Sequence, residues 1–461
     1  MTKNNEVIEV TNPATGEVVD TVLKGGKKEA VEAVDKAYQA FQDWSKQSVY
    51  ERSALLNKWY ALVEEHEAEL ARIMTIEQGK PLKEATGEIR YANSFISWYA
   101  EEGKRLYGET IPATASDKRI VVSRQPVGVI AAITPWNFPA AMITRKVAPA
   151  LASGCTAVVK PASATPLTAI RLRELAVEAG IPEGVLQIVT GSSGEISDAW
   201  MADERVRKIS FTGSTEVGKS LMQKSAETVK KLSLELGGHA PLIVMGDADI
   251  EKAVNGAVAS KYRNAGQTCV CANRIYVHES IEQEFAKAFK EKVAQLKVGD
   301  GLEEGVDIGP LIDKSAVEKV KHHIEDALDK GAEKLLGNKT EKEDLFFSPT
   351  ILTNVSDEMV CMQEETFGPL APITTFQTKE EVVKRANNSP YGLAAYLFTE
   401  NLTTAIEVSE QLEYGIVGIN DGAPSTAQAP FGGFKESGLG REGGHHGIDE
   451  YVEVKYLSIQ L

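Results

Sequence analysis

The chain has 461 residues, of which 43% are hydrophobic and 25% are charged, and its formal net charge is −16. This length predicts about two or three domains, and the composition is that of a globular protein. The acidic balance argues against nucleic acid or an anionic membrane as a partner, because both require a basic surface.

The small number of cysteines indicates a reducing environment. Four cysteines in so long a chain do not predict a disulfide framework, and with few histidines nearby they do not predict a zinc site or another metal site. The first residues lack the basic segment and apolar core of a secretory signal. We therefore expect a cytoplasmic protein with reduced cysteines.

Helical periodicity dominates the first hundred residues. Apolar residues at helical spacing, among them Tyr38, predict a helix over 28–45, a second helix over 55–70 and a third over 83–105. Four aromatic residues on the third helix have the spacing of core packing rather than that of a ligand platform: Tyr91, Phe95, Trp98 and Tyr99.

Strand and helix patterns alternate from residue 118 onward. The run Val129–Ile133 is apolar on both faces, which predicts a central parallel strand. A second alternating series begins after Pro241, so we expect two doubly wound α/β units with ligands at the carboxyl ends of their strands. The uncharged stretch 125–144 contains prolines that break any membrane-spanning helix. The terminal segment 451–461 is strand-like, and an exposed edge strand indicates pairing with another subunit.

Three residues stand in local patterns that suggest catalysis. Cys269 lies in the uncharged turn 264–271, where backbone amides can support a thiolate nucleophile, although a lone cysteine is more often a buried apolar residue. Glu235, in the segment 234–238, is the candidate base. Asn137 follows a buried strand and lies between two prolines, so it could donate to an oxyanion, cap the next helix, or do both.

These segments resemble the motifs of the aldehyde dehydrogenase superfamily. Residues 264–271 resemble its active-site cysteine motif, 234–238 its glutamate motif, 135–139 its asparagine motif and 364–369 its cofactor-ribose motif. The matches run in the order of the family as far as residues 430–433, and the flanking sequence also fits, so the resemblance covers essentially the whole chain.

The resemblance implies the aldehyde dehydrogenase fold, which is α/β. It places a Rossmann-like cofactor domain in 1–110 and 127–237, an α/β catalytic domain in 238–435, and a small β oligomerisation element in 111–126 and 442–461. It also implies a homo-oligomer, either a dimer or a tetramer. In the implied mechanism Cys269 attacks an aldehyde, Asn137 binds the oxyanion, and Glu235 activates the water that hydrolyses a thioester. Lys146 or the bound cofactor could also activate the thiol.

The cofactor implied by the resemblance is NADP, with NAD tolerated. NAD-preferring members often carry Glu at the position of Ser163, and a serine there removes the repulsion of a 2′-phosphate. Gly213 lies in the turn of the strand-turn-helix segment 208–218, whose helix start suits phosphate, although the spacing of Gly213 and Gly218 also occurs in any tight βα turn. The residues expected to contact the cofactor are Trp136, Lys160, Ser163, Gly213, Ser214, Leu236, Glu365 and Phe367.

The expected substrate is an aldehyde with a terminal carboxylate, succinate semialdehyde first and glutarate semialdehyde as the alternative. Arg145 and Arg263 match substrate-binding positions in the family, and two guanidiniums would bind a carboxylate. Each arginine could equally be in an ordinary ion pair. Ser425 matches a third such position, and Pro424 beside it departs from the family pattern. The other classes left open are a cysteine hydrolase, a non-catalytic nucleotide-binding relative and a dehydrogenase that acylates coenzyme A.

Cys271 lies two residues beyond the expected nucleophile. A neighbouring thiol could form a strained, easily reduced disulfide with Cys269 and so protect it from irreversible oxidation. The alternative, which we favour from sequence alone, is a small packed side chain.

Overall fold

In the computed structural model, residues 6–337 and 345–461 are described. Their strands are β1 (Val7–Thr11), β2 (Val18–Leu23), β3 (Glu109–Ile111), β4 (Lys118–Pro126), β5 (Val129–Ile133), β6 (Thr156–Lys160), β7 (Leu186–Ile188), β8 (Val206–Thr212), β9 (Lys231–Glu235), β10 (Ala240–Val244), β11 (Ala272–His278), β12 (Glu333–Leu336), β13 (Thr350–Thr353), β14 (Leu370–Phe376), β15 (Tyr391–Gly392), β16 (Ala394–Phe398), β17 (Ile416–Ile419), β18 (Phe434–Lys435), β19 (Gly438–Leu439) and β20 (Val452–Gln460).

The helices of the described residues alternate with these strands over most of the chain. They are α1 (Lys27–Trp44), α2 (Val49–Glu65), α3 (Glu67–Gln78), α4 (Leu82–Glu102), α5 (Ala141–Ser153), α6 (Leu167–Glu178), α7 (Ser193–Ala202), α8 (Thr215–Ser225), α9 (Ile250–Tyr262), α10 (Glu282–Val293), α11 (Lys314–Asp329), α12 (Val360–Gln363), α13 (Lys379–Asn387), α14 (Leu402–Gln411) and α15 (Gly444–Asp449). None of them is both long and apolar enough to cross a membrane.

Two large sheets organise the chain. One has the strand order β19-β9-β8-β5-β6-β7, and the other has the order β12-β13-β14-β11-β10-β16-β17. Strand β5 pairs in parallel with β6 on one side and with β8 on the other, so the predicted central strand is confirmed. The expected boundary at 237 and 238 falls between β9 and β10, which belong to different sheets. The domain limits themselves stay predictions.

A third sheet joins the C-terminus to the middle of the chain. Its order is β20-β4-β3, and β20 pairs antiparallel with β4 from Val452 opposite Pro126 to Gln460 opposite Lys118. The predicted terminal strand is therefore present. The segment 442–461, which is expected to belong to the oligomerisation element, also contains α15 (Gly444–Asp449), which packs against α4 and α5.

Two details of the helical region differ from the sequence expectation. The predicted second helix is interrupted at His66, where α2 ends and α3 begins, and acidic Glu67 and Glu69 lie in the first turn of α3, which favours a helix start. Tyr38 was expected in a packing stripe but is 43% exposed, with the Arg205 guanidinium 5.9 Å from its ring centroid.

Helix α5 is buried along its whole length. It follows β5 and the turn that carries Asn137, and every residue from Ala141 to Ser153 is buried. Neighbouring helices α4 and α2 pack against it. Polar side chains on this helix can therefore face only other protein groups or an enclosed cavity.

Candidate active site

A cavity of about 510 Å³ is lined by the loops that follow β5, β8 and β9, by the segments that precede β11 and β14, and by the start of α11. Such clefts at the carboxyl ends of parallel strands are the usual ligand sites of doubly wound folds. The predicted residues that line it are Trp136, Asn137, Gly213, Ser214, Leu236, Cys269, Glu365 and Phe367.

The loop before Cys269 has an unusual backbone. Asn264, Ala265 and Gly266 have consecutive positive φ angles of 51°, 56° and 75°. A Cβ on Gly266 would lie 2.3 Å from the carbonyl oxygen of Gly368, so both the conformation and the space require glycine there. Burial raises the pKa of the half-buried Cys269 thiol to about 12. The positive charge of nearby Arg145 lowers this pKa, but by less than burial raises it. The resting thiol is therefore neutral at pH 7.

Asn137 is fixed at both its side chain and its backbone. The side-chain nitrogen donates to the carbonyl oxygen of Gln267 at 3.0 Å, and its second hydrogen remains for another acceptor. The carbonyl oxygen of Asn137 accepts from Lys80 Nζ at 2.8 Å and from Asn264 Nδ2 at 3.0 Å. Because the Ala140 amide at the start of α5 donates to Glu88 instead, the contacts of Asn137 are those of a positioned donor rather than of a helix cap.

Glu235 ends strand β9 and is fully enclosed. Within the described part of the chain, neither carboxylate oxygen has a hydrogen-bond partner. Burial raises the pKa of Glu235 well above its usual range, and the negative Glu442 raises it further. The following segment meets the nucleophile loop, because a Cβ on Gly238 would lie 2.1 Å from the carbonyl oxygen of Cys269. Glycine at this position therefore allows the segment after Glu235 to pack against the Cys269 backbone.

The turn between β8 and α8 has the close packing expected of a phosphate-binding segment. A Cβ on Gly213 would lie 2.4 Å from the ring of Phe211, and one on Gly218 would lie 2.5 Å from the side chain of Leu236. Ser214 caps α8 by accepting from Val217 N. The exposed amides at this helix start can face an anionic group in the cavity.

Two further predicted residues, Lys160 and Glu365, have shifted pKa values. Lys160 Nζ donates to Ser193 Oγ at 2.7 Å, and burial lowers the pKa of Lys160 to about 8. Glu365 accepts from Gly238 N at 3.0 Å, and burial raises its pKa to about 7. Ser163 lies half-buried in the turn after β6. A cation, hydroxyls and a carboxylate are the groups that a nicotinamide dinucleotide would require, so the residues fit that cofactor.

Comparison with known proteins agrees with this geometry. The sequence profile of the aldehyde dehydrogenase family matches residues 1–457. The chain belongs to the aldehyde dehydrogenase family. It is 55% identical over 459 residues to the NADP(+) succinate-semialdehyde dehydrogenase GabD of Escherichia coli strain K12, covering 99% of this chain and 95% of that protein.

Two other relatives of this aldehyde dehydrogenase extend the comparison. It is 56% identical over 458 residues to a glutarate-semialdehyde dehydrogenase of Pseudomonas putida KT2440, covering 99% of this chain and 95% of that protein. The solved structure of an NADP-dependent enzyme from Escherichia coli superimposes with a TM-score of 0.98 at 55% identity, covering 100% of this chain and 96% of that one. The predicted family and fold are thus confirmed.

Arg145 has a partner that the sequence did not indicate. It is buried, it contacts the Glu442 carboxylate, and its guanidinium lies 4.0 Å from the ring centroid of Phe431. Lys146 Nζ pairs with the other Glu442 oxygen and donates to Thr212 Oγ1 at 2.6 Å. Of the two interpretations that the sequence left open for Arg145, the structure shows the ion pair, with one buried carboxylate shared between Arg145 and Lys146, and a role of Arg145 in substrate binding stays a prediction.

Arg263 and Ser425 are the other residues expected to contact substrate. Arg263 is half-buried beside Phe138, with its guanidinium 5.3 Å from the ring centroid, and no carboxylate of residues 6–337 or 345–461 forms an ion pair with it. Ser425 is half-buried in the coil after β17, and neither Ser425 nor Arg263 is among the residues that line the cavity of about 510 Å³. The role of Ser425 in substrate binding stays a prediction.

Sequence reasoning missed several groups at the site of this dehydrogenase. Helix α11 contributes Ser315 and Lys319 to the cavity wall. Both lie on an amphipathic surface helix, where a charged residue is normally solvated, so the local pattern carried no signal. Cys271 is buried, and its sulfur lies 3.2 Å from Lys261 Nζ. That contact gives Cys271 a polar partner in the reduced protein.

Proposed function

We propose that this enzyme oxidises succinate semialdehyde to succinate with NADP, and that it also accepts NAD. The observation that carries the substrate assignment is the half-buried Arg263 guanidinium next to the nucleophile loop, which has no carboxylate paired with it among the described residues. A carboxylate at the far end of a short aldehyde would neutralise it through charge-assisted hydrogen bonds. The relative named as an NADP succinate-semialdehyde dehydrogenase supports both the substrate and the cofactor.

We assign the catalytic roles to three residues. Cys269 Sγ adds to the aldehyde carbon, and the resulting oxyanion accepts hydrogen bonds from the free N–H of the Asn137 side chain and from the Cys269 amide. The nicotinamide ring of the bound cofactor supplies the hydride acceptor. The thioester on Cys269 then reacts with a water whose proton passes to the Glu235 carboxylate, and this hydrolysis releases the acid and the thiol.

Burial and the charged neighbours of Cys269 together determine whether its thiolate forms. Burial of Cys269 disfavours the thiolate, whereas Arg145 and Arg263 favour it. Glu235 and Glu365 act in the opposite direction. We infer that the thiolate forms only when ligands in the cavity change this balance, which limits oxidation of Cys269 between turnovers.

The test is a set of initial rates measured at 340 nm with NADP and with NAD. Succinate semialdehyde, glutarate semialdehyde and butanal form the substrate panel, since the last lacks a carboxylate. We expect the highest kcat/KM for succinate semialdehyde with NADP. A preference for glutarate semialdehyde, the substrate in the name of another relative, would change the substrate but keep the reaction. Absence of any cofactor reduction would overturn the dehydrogenase assignment.

We also propose that the sheet of β20, β4 and β3 joins subunits into a homo-oligomer. Four apolar side chains on β20 are more than 40% exposed in the single chain: Val454, Tyr456, Leu457 and Ile459. An apolar strand of this kind is normally covered. Light scattering on the wild type and on a chain truncated after residue 451 tests this, and an unchanged mass would contradict it.

A further inference from the structure

We propose that the buried ion pair of Lys80 and Glu88 is a positioning device for the Asn137 oxyanion donor. Neither residue lines the cavity that contains Cys269, and both side chains form hydrogen bonds to each other and to the backbone. Their role would be to fix the backbone from the Asn137 carbonyl to the start of α5. The inference rests on the oxyanion role given to Asn137 in the proposed function.

The two charged groups act on opposite ends of one short segment. Lys80 Nζ donates to the carbonyl oxygen of Asn137 at 2.8 Å, and Glu88 Oε1 accepts from the amides of Ala140 and Ala141 at 3.0 and 3.3 Å. Between them, Lys80 Nζ donates to Glu88 Oε2 at 2.5 Å. The segment from Asn137 to Ala141 is thus connected at both ends to the same ion pair.

The burial of this pair indicates a function beyond ordinary stability. The side chains of Lys80 and Glu88 are only 1% and 2% exposed. A buried ion pair is seldom more stabilising than apolar residues of the same volume, because both charges lose their hydration. Here both charged groups also bond to the backbone around Asn137, and the Lys80 ammonium lies 4.1 Å from the centroid of the Phe138 ring. Such a network restricts the segment to one geometry.

The same network reaches the nucleophile loop. Gln78 Oε1 accepts from Lys80 N at 3.0 Å, and Gln78 Nε2 donates to Asn264 Oδ1 at 3.0 Å. Asn264 Nδ2 in turn donates to the carbonyl oxygen of Asn137. Glu84, one helical turn before Glu88 on α4, accepts from Asn264 N at 2.8 Å. The oxyanion donor and the loop of the nucleophile are therefore aligned by one set of side chains.

This arrangement predicts an effect on the transition state rather than on cofactor binding. An oxyanion donor is effective only when it lies at hydrogen-bond distance from the oxygen that becomes charged. A displacement of about 1 Å can lower a rate about a hundredfold. Loss of the ion pair should therefore lower kcat and leave the KM for NADP unchanged.

The experiment is a double-mutant cycle on the full-length enzyme. Its variants are the charge-neutral Lys80→Met/Glu88→Gln, Asn137→Ala, and their combination. We expect Asn137→Ala to lower kcat about a hundredfold to a thousandfold and the pair variant to lower it about tenfold to a hundredfold. Because the pair acts through Asn137, the combined variant should match Asn137→Ala within about twofold.

A matched control separates this role from general stability. Glu77 is also a buried carboxylate, and it accepts from Leu167 N at 2.7 Å and from Thr168 N at 2.9 Å at the start of α6. Glu77→Gln should lower Tm while keeping kcat. If the pair variant does not fold, Glu88→Gln alone is used, because its amide oxygen can still accept from Ala140. Glu88→Gln should lower kcat less than the pair variant does. Added to Asn137→Ala, it should cause no further loss of kcat.

The possible outcomes distinguish this inference from the proposed function. If Asn137→Ala leaves kcat unchanged, the oxyanion assignment fails, and the inference fails with it. If Asn137→Ala lowers kcat strongly but the folded pair variant has a normal kcat, the inference is overturned while the oxyanion assignment stands. Multiplying effects in the combined variant would also overturn it, since they would show that the ion pair acts independently of Asn137.

Discussion

The Arg145 guanidinium contacts a single oxygen of Glu442 through Nε at 2.8 Å and Nη2 at 2.6 Å. Both side chains are almost fully buried, and the other oxygen of Glu442 pairs with Lys146. Coulomb attraction to Glu442 is the main effect that opposes burial and raises the pKa of Arg145. A substrate carboxylate that approached Arg145 would meet a cation whose hydrogen bonds are already directed at Glu442, whereas Arg263 has no such carboxylate partner among the described residues.

The first prediction compares the two arginines. Arg263→Met should raise the KM for succinate semialdehyde about tenfold to a hundredfold, because a charge-assisted hydrogen bond contributes about 1.5–3 kcal/mol. Arg145→Met should raise that KM less and lower Tm more, since it removes one cation from the buried Glu442 carboxylate. Steady-state kinetics and thermal unfolding give both quantities. The KM for butanal is the control, and an equal rise for butanal would show that Arg263 does not recognise the carboxylate.

The second prediction concerns pH and the choice of cofactor. Burial lowers the pKa of Lys160 to about 8, so its cation is present below that pH and is lost as the pH rises through it. Since only the protonated form attracts a 2′-phosphate, the KM for NADP should rise above about pH 8 while the KM for NAD changes little. Lys160→Arg retains its charge and should abolish this difference. Parallel curves for the two cofactors in the wild type would contradict the assignment.

The sequence predicted those features that depend on neighbours in the chain. Strand β5 is apolar on both faces because helices or loops cover both, and this shows directly in Val129–Ile133. The turn before Cys269 contains a glycine, and the turn around Asn137 contains prolines. Because these residues mark turns in the sequence, both turns could be located. Their chemical roles, however, came from resemblance to a family and not from the local pattern.

Contacts between distant segments could not be predicted in this way. Arg145 and Glu442 are separated by 297 positions, and no periodicity relates them. Lys80 and Glu88 have the spacing of ordinary surface charges at the start of a helix, yet both are buried. The general tendency of charged residues to be solvated is therefore misleading where a polar network surrounds a reacting group.

The third prediction separates two possible roles of Glu235. If it activates water, Glu235→Gln should still give a rapid burst of about one reduced cofactor per active site, followed by turnover about 10²–10⁴-fold slower than in the wild type. Burial raises the pKa of Glu235, so the wild-type steady-state rate should rise with pH as the carboxyl ionises, and the variant should lose this rise. Stopped-flow absorbance measures the burst. Loss of the burst itself would show that Glu235 activates Cys269 instead.

The last prediction concerns oxidation of the nucleophile. Cys271 lies two residues beyond Cys269, and the Lys261 ammonium 3.2 Å from its sulfur favours its thiolate, although burial raises the pKa of this thiol overall. Peroxide should convert Cys269 to a sulfenic acid, which the Cys271 thiol attacks to form a disulfide with release of water, and dithiothreitol should then restore activity. Cys271→Ala should lose this recovery, because its nucleophile is oxidised further to a sulfinic acid.

Cys361→Ala, which changes a buried cysteine far along the chain, is the matched control and should recover like the wild type. Activity after peroxide and then dithiothreitol is measured for all three proteins, together with the mass of the peptide that contains residues 269 and 271. Equal recovery in the wild type and Cys271→Ala would show that Cys271 serves only packing.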